Sequence, residues 1–484
     1  MSHFTVVQRI LGLLVAIFSV TMLPPLLVSL YYGDGSHAPF AFGFFFSLVT
    51  GLVIYWPVRH ARHDLKLRDG FLVVVLFWTV LGLFGAIPLL LSERPVLSLT
   101  DAVFESVSGL TTTGATVIVG LDSLPKAILY YRQQLQWLGG MGIIVLAVAI
   151  LPMLGVGGMQ LYRAETPGPM KDSKLTPRIT ETAKALWLIY VSLTLACAFG
   201  YWFAGMTPFD AISHAFSTVA IGGFSTHDLS MGYFNSTMIE CVAVVFMFLA
   251  AVNFAVHYTA WRSASPMVYF RDPEFRAFLF LVVASTIITV GYLLYTETYT
   301  DLQTAMLKTS FQVVSIGTTT GFTTDDYSVW PSFLPMMLLL GSFVGGCAGS
   351  TAGGIKVIRF LLIFKQGLRE ITRLVHPSAE IPVKLGNKSI PPPVVQAVWG
   401  FFSVYMLLYA VLFILLLATG LDEVTAFSAV AACLNNLGPG LGAVSSNFTV
   451  VPDAGKWLLI VAMLLGRLEI FTLLVIFTPA FWRR

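Results

Sequence analysis

Four glycines, Gly114, Gly223, Gly321 and Gly438, stand about a hundred residues apart, a spacing too long for a solenoid unit. Each closes a short string that follows an apolar run. Thr111-Thr112-Thr113-Gly114 and Thr318-Thr319-Thr320-Gly321 are the same four residues. Ala220-Ile221-Gly222-Gly223 shares the phenylalanine that follows (Phe224, as Phe322), and Asn435-Asn436-Leu437-Gly438 keeps the glycine. Asp101-Ala102 and Asp210-Ala211 each lie thirteen residues before their glycine. A serine stands six residues before three of the glycines (Ser108, Ser217, Ser315), and Ala432 before the fourth. Each copy reads as a helix of about three turns, too short to span a bilayer, running into an extended strand. Asp101, Asp210, Asp301 and Asp422 fall near the helix starts, where an acidic cap suits the positive end of the dipole.

The surroundings of these strings are apolar. The chain of 484 residues is 56% hydrophobic and 11% charged, whereas a soluble domain carries about 25% charged residues. Apolar runs at 10–32, 40–58, 71–91, 133–154, 186–206, 241–261, 277–296, 330–355 (running on toward Phe364), 394–421 and 457–481 predict ten spanning helices. The first is too long for a signal-peptide core and lacks a cleavage site, so it is retained. Pro24-Pro25 should kink it. The four short helix–strand units are then re-entrant, since irregular backbone at membrane depth needs protein or a water-filled cavity around it. The expected fold is an all-α polytopic membrane protein. Two N-terminal helices (1–69) precede four pseudo-repeats of helix, pore helix with strand, and helix around a central pore: 70–162, 163–262, 263–375 and 376–484.

Charge sets the orientation. Arg9, then Arg59, Arg62, Lys66 and Arg68, then Arg163, Lys171, Lys174, Arg178 and Lys184, then Arg262, Arg271 and Arg276 fall on one side. Lys356, Arg359, Lys365, Arg369, Arg373, Lys384 and Lys388 join them. The other side carries only Arg94, Lys126, Arg132, Lys308 and Lys456. The positive-inside rule places both termini in the cytoplasm and opens the strands outward.

A short helix directs its negative end and its last carbonyls toward whatever its C-terminus faces. Four aimed at one axis favour a cation, and carbonyl-lined strands are how potassium channels replace an ion's hydration shell. The strings resemble the selectivity filter of the Trk/Ktr/HKT superfamily of potassium transporters. The likeness runs from about Phe71 to the end, and the two extra N-terminal helices match its TrkH branch. The resemblance implies K+ as transported ion, held by backbone carbonyls of Thr111, Thr112, Thr113 and Gly114; Ala220, Ile221, Gly222 and Gly223; Thr318, Thr319, Thr320 and Gly321; and Asn435, Asn436, Leu437 and Gly438. Threonine hydroxyls would add to the innermost position. It also implies a bacterial inner-membrane protein, a homodimer, and docked cytosolic TrkA-type subunits of Rossmann (RCK) fold that bind NAD or ATP.

Two further features stand out. Gly345, Gly346, Gly349, Gly353 and Gly354 crowd ten residues inside an apolar run, enough to break a helix. A packing surface of small residues is the plain reading; the resemblance favours a gating loop at 345–354 that crosses the pore beneath the filter. Arg467 lies near the middle of the last run, where an arginine costs at least ~2.5–3.5 kcal/mol. Glu469, two residues on, would face away from it on a helix, and the resemblance implies a positive barrier in the pore.

The remaining polar residues read plainly. Glu105 and Lys308 pair with each other or cap locally. His214 and His257 are hydrogen-bonded core rather than proton relays. Cys197, Cys241, Cys347 and Cys433 lack metal spacing and read as small core residues. No nucleophile–base pair, phosphate loop or dinucleotide fingerprint occurs; Gly155-Val156-Gly157-Gly158 lacks the βαβ context. An enzyme is therefore not expected, nor a nucleic-acid partner, and nucleotide sensing would belong to the partner subunit, docked on the basic loops, 356–388 above all. The alternatives are a Na+-permeable or H+-coupled symporter, disfavoured by glycine in all four copies and by scarce membrane carboxylates, and a non-conducting anchor subunit, which leaves the four strings unexplained.

Overall fold

A computed structural model of the chain describes residues 4–61, 67–142 and 179–482. The expected basic stretch at 163–178, with Arg62, Lys66 and the glycines at 155–158, lies outside the described residues. The N-terminal pair is α1 (Phe4–Val20) with α2 (Leu23–Tyr32), then α3 (His37–Tyr55). The helix breaks only briefly at Thr21-Met22 and restarts with proline in the first turn of α2, where no N–H is needed, so Phe4–Tyr32 remains a single span.

The first repeat contributes α4 (Leu67–Leu90), the short α5 (Leu99–Leu110) and α6 (Lys126–Trp137), and the second α7 (Ile179–Phe203), the short α8 (Pro208–Ala220), α9 (Thr237–Ala250) and α10 (Phe254–Ser263). After the five-residue α11 (Met267–Arg271), the third adds α12 (Pro273–Tyr295), the short α13 (Leu302–Gly317), α14 (Leu334–Val344) and α15 (Val357–Val375). The fourth adds α16 (Pro392–Leu417), the short α17 (Glu423–Leu434), α18 (Asp453–Arg467) and α19 (Phe471–Leu474). Among the described residues, six helices are long and apolar enough to cross a membrane, or eight if each of two bent pairs is one span.

The departure from expectation is in the second helix of the second, third and fourth repeats. The runs 241–261 and 457–481 are not continuous spans: α9 turns into α10 through 96°, and α18 into the Phe471–Phe477 segment through 107°. The run 330–355 stops at Val344, and the chain resumes a helix only at Val357. In the first repeat, the run 133–154 leaves the described residues after Gly142. Asn253 marks one break by capping α10, its Oδ1 accepting from Ala255 N–H at 2.8 Å. Glu469 and Ile470 mark another, with φ of 49° and 59°.

The four short helices start as the acidic residues suggested, but in two chemical versions. Asp301 and Asp422 are themselves N-caps, accepting from Thr304 N–H at 2.8 Å and Thr425 N–H at 3.1 Å. Asp101 and Asp210 instead sit at the third helical position. There Ser98 and Thr207 take their N–H groups at 3.1 and 3.2 Å and bond their carboxylates at 3.0 and 2.8 Å. Both arrangements satisfy helix-start donors and place negative charge at the dipole's positive end.

The repeats are stapled to one another by charge and backbone bonds. Glu240 on α9 meets Lys308 on α13 at 2.6 Å, and Lys456 on α18 meets Asp101 on α5 at 2.6 Å. Tyr327 donates to the carbonyl of Gly440 at 3.2 Å, and Phe448 N–H to that of Thr116 at 2.8 Å. Glu105 and Lys308 therefore do not pair together: Glu105, fully buried, holds Arg132 at 2.7 Å. Arg132 also donates to Thr116 Oγ1 and to the carbonyl of Ser225, at 3.0 and 3.1 Å, and lies 4.2 Å over the Phe224 ring. Breaking a buried pair leaves one charge stranded, at a cost of about 3–5 kcal/mol. Arg132→Leu should accordingly lower the thermal midpoint of the purified protein by several degrees, and adding Glu105→Leu should recover part of the loss, as followed by thermal denaturation in detergent.

Candidate functional site

Each short helix ends in the same way. The N–H of Thr113, Gly222, Thr320 and Leu437 donates back to the carbonyl of Ser108, Ser217, Ser315 and Ala432, at 2.8, 2.8, 2.7 and 2.7 Å. The preceding N–H, of Thr112, Ile221, Thr319 and Asn436, bonds the carbonyl three residues back, at 3.0, 3.1, 3.0 and 3.3 Å. These two bonds define a Schellman ending, which needs one left-handed residue. That residue is non-glycine in all four copies: Thr112, Ile221, Thr319 and Asn436 have φ between 54° and 67°. Two of the helix-end carbonyls expected to face a cation are thus occupied by the returning chain. What reaches the axis is the strand.

Two residues further on come the shared glycines, with φ of 80°, 80°, 84° and 101°. The space around them closes on itself. A Cβ on Gly114 would collide with the Gly222 carbonyl oxygen, one on Gly223 with that of Thr320, one on Gly321 with that of Leu437, and one on Gly438 with that of Thr113 at 2.8 Å. Each strand thus packs its glycine against the residue before the next strand's glycine, around a closed ring of four. The structure brings together all sixteen residues of the four strings, and the ring explains why glycine alone is common to them.

The threonine hydroxyls play mixed parts. Thr111 and Thr318 donate theirs back to the helix, to Val107 and Val314 carbonyls at 2.7 Å, and pair with Thr113 and Thr320 at 2.8 and 2.7 Å. Thr112 and Thr319 instead meet the two features that the sequence singled out. Arg467 Nη1 is 3.4 Å from Thr112 Oγ1, while Nη2 donates to the carbonyl of Gly140 at 2.7 Å and to that of Gly139. Gly353 N–H donates to Thr319 Oγ1 at 2.7 Å, and Gly354 N–H to the Asn435 carbonyl at 3.0 Å. Thr351 Oγ1 donates to the carbonyl of Val219 at 2.9 Å. The 345–354 segment therefore touches the second, third and fourth copies, and Arg467 the first. Arg467 is the last residue of α18, so the negative end of that helix dipole adds to the carbonyls around its charge. Glu469 turns away to pair with Arg359.

Sequence reasoning missed the groups that grip the strands from behind. Gln136 on α6 donates Nε2–H to the Gly222 carbonyl at 2.6 Å and accepts from Phe224 N–H at 3.1 Å. Gln133 donates to the Phe224 carbonyl at 3.0 Å. The signal was there: Arg132, Gln133, Gln134 and Gln136, all buried, form a polar run in an apolar chain. Tyr405 and Ser342 hold the Asn435 side chain from the other side, at 2.5 and 3.0 Å. On the loop beyond the second strand, His227 Nδ1 lies 2.5 Å from Asp122 Oδ1 and Nε2 3.5 Å from Asp210 Oδ1. Burial alone would lower its pKa, but hydrogen bonds to Asp210 and Asp122 outweigh that and raise it.

The plainer expectations come out unevenly. His214 bonds the Asp210 carbonyl and Ser225 Oγ, each at 2.9 Å, and His257 bonds Tyr269 and the Leu249 carbonyl, as core histidines do. All four cysteines are free, but Cys241 is exposed on α9 and not core. Within the basic 356–388 stretch, Lys356 bonds the Ala352 carbonyl and Arg359 is buried against Glu469, so neither is offered to a partner. Arg373, Lys384 and Lys388 are exposed. Among the described residues no cluster of three or more His, Cys, Asp or Glu side chains suits a metal ion.

The fold is that of a multi-pass helical membrane protein in which four short helices end in strands that meet around a closed ring. The chain belongs to the TrkH family, described as cation transport proteins, whose profile matches residues 36–484. It is 61% identical over 483 residues to the Trk system potassium uptake protein TrkH of Vibrio parahaemolyticus, covering 99% of this chain and 100% of the relative. It is 58% identical over 481 residues to the TrkH of Escherichia coli K12, covering 99% and 100%. To the TrkG of that strain it is 45% identical over 483 residues, covering 100% and 99%. The crystal structure of the potassium transporter TrkH from Vibrio parahaemolyticus superposes with a TM-score of 0.91 at 58% identity, covering all of both chains. These relatives are named as transporters, not enzymes.

The Gln136 amide makes the sharpest expectation here. Gln136→Leu keeps the volume but strands one buried donor and one buried acceptor, each worth about 1–3 kcal/mol. The ratio of monovalent cations in tracer flux should move by about tenfold, which corresponds to about 1.4 kcal/mol, with total flux retained.

Proposed function

We propose that this chain takes up K+ across the bacterial inner membrane through the ring of four glycine strands. The closed ring carries the reading: four helix C-termini and four left-handed strand geometries converge on one axis. The potassium-uptake names of relatives 58–61% identical over nearly the whole chain support it. In this reading the strand carbonyls take the place of water around K+. Glycine in all four copies favours K+ over a Na+-permeable variant of the same fold.

The 345–354 segment, bonded to the third and fourth strands and to the end of the second short helix, acts as the gate. Arg467, beneath the first, is a fixed positive barrier. At about 6 Å and an effective dielectric near 20 it repels a passing cation by roughly 3 kcal/mol. The protein works as a homodimer with both termini in the cytoplasm. A TrkA-type ring of nucleotide-binding subunits docks on its basic inner face, at Arg373, Lys384 and Lys388, and controls the gate.

Purified protein in liposomes tests this. The parent should carry K+ and Rb+ well ahead of Na+, and Gly114→Ser should lower the K+/Na+ ratio, since a side chain there meets the Gly222 carbonyl. A parent without K+ or Rb+ flux, or a serine variant with an unaltered ratio, would remove the filter reading. Arg467→Ala should raise K+ flux per folded protein by about tenfold or more, and Arg467→Lys should keep most of the barrier. An alanine variant that loses thermal stability and gains no flux would make Arg467 a structural group instead.

A further inference from the structure

Glu274 is a buried carboxylate, 5% exposed, at the start of α12. Nothing in the ring uses it. Its Oε1 accepts two backbone N–H groups, from Ala348 at 2.7 Å and from Ile358 at 3.1 Å. Ala348 lies inside the 345–354 segment, and Ile358 is in the first turn of α15, the helix that follows it. The residue before α15, Lys356, offers no side-chain cap. The helix thus has orphan donors at its start, and a carboxyl oxygen from another helix meets one of them. One oxygen therefore ties three pieces together: the start of α12, the glycine segment, and the helix beyond it.

The rest of the segment is held by bonds to one neighbour at a time, among them Lys356 to the Ala352 carbonyl. Its early part bonds the break in the second repeat, Cys347 N–H to the Ala251 carbonyl at 2.9 Å and Phe254 N–H to the Gly349 carbonyl at 3.0 Å. Its late part bonds the strands through Gly353 and Gly354. Each of these is a single bond to one neighbour, whereas Glu274 Oε1 gathers donors from two separate elements at once. Gly353 fits closely: a Cβ there would meet the Asn435 carbonyl and lie 3.1 Å from Thr319 Oγ1. The segment stays against the ring only while its flanks are held in register.

We propose that Glu274 is the positioning residue that holds the 345–354 segment across the strands, so that releasing its carboxylate releases the gate. The inference rests on the gate reading above. It adds a route: Arg262 near the end of α10, Arg271 at the end of α11 and Arg276 in the first turns of α12 make a basic face beside Glu274 in the chain, so displacement of that face reaches the gate through Glu274 without passing through the filter.

The test is Rb+ tracer flux per folded protein in liposomes, with the full chain, beside K+/Na+ selectivity. Glu274→Ala should raise basal flux by about tenfold, from the loss of the two bonds that one buried oxygen makes. Glu274→Gln, which keeps the shape but puts an NH2 donor in place of one oxygen, should raise it a few-fold, and neither should change selectivity. A merely structural role would lower the folded yield and leave flux per folded protein where it was. If the alanine variant does not fold, the glutamine variant decides, and unchanged flux in it overturns the proposal. A variant with the 345–354 segment shortened separates the two ideas. If shortening raises flux and the Glu274 variants do not, Glu274 is not the latch and the gate stands. If shortening also leaves flux unchanged, the gate reading falls and the latch with it.

Discussion

Everything in this molecule depends on how closely four backbones approach one another around a single axis. Each ring glycine packs its Cα face against a carbonyl of the next strand, closer than any Cβ would allow. The contact runs from the first copy to the second, third and fourth, and back to the first, so no strand can shift alone. That closure over-determines the local geometry. It holds four non-glycine residues, Thr112, Ile221, Thr319 and Asn436, in left-handed conformations that cost roughly 1–3 kcal/mol each in isolation. The staples between repeats, Glu240 with Lys308 and Lys456 with Asp101, serve the same end by fixing the helices from which the strands emerge.

The second constraint is that backbone polar groups away from water must find partners. The second helices of the second, third and fourth repeats all stop partway, and each break exposes donors and acceptors. The breaks are where the glycine segment and Arg467 sit. Asn253 caps one; the 345–354 segment fills another and hands its N–H groups to Thr319, Asn435 and Glu274. At the third, Arg467 ends its helix against the carbonyls of Gly139 and Gly140, while Glu469 turns to Arg359. A broken helix in this setting is a set of unpaired groups, and pairing them with neighbours is what couples the ring to the segment beneath it.

The repeat, its membrane setting and the short helices were legible along the chain because they rest on local signals: glycine at a fixed offset, apolar runs of known length, acidic starts. Even so, the acidic residues resolved into two capping schemes, as Ser98 and Thr207 precede two of them and Asp301 and Asp422 replace them. The two bent spans were not legible. Residues 241–261 and 457–481 are as apolar as unbroken helices, and hydropathy is blind to a turn made by three or four residues. Glycine density did mark the third break, because five glycines in ten residues change the backbone itself.

Partnership was the part that only the tertiary structure decided. Glu105 and Lys308 read as a mutual pair or as local caps, yet the fold gives them Arg132 and Glu240, residues remote in sequence. The polar run from Arg132 to Gln136 carried a signal in its composition alone, and its meaning needed the neighbouring strand that it grips. Glu274 carried none, since one acidic residue at a helix start is ordinary. The sequence by itself determined the modules, their number and the residues at the ring, because those follow from local backbone preference and burial. Which modules touch, in what order and through which side chains was decided by closing the ring, since close contact between distant segments leaves no periodic trace in either one.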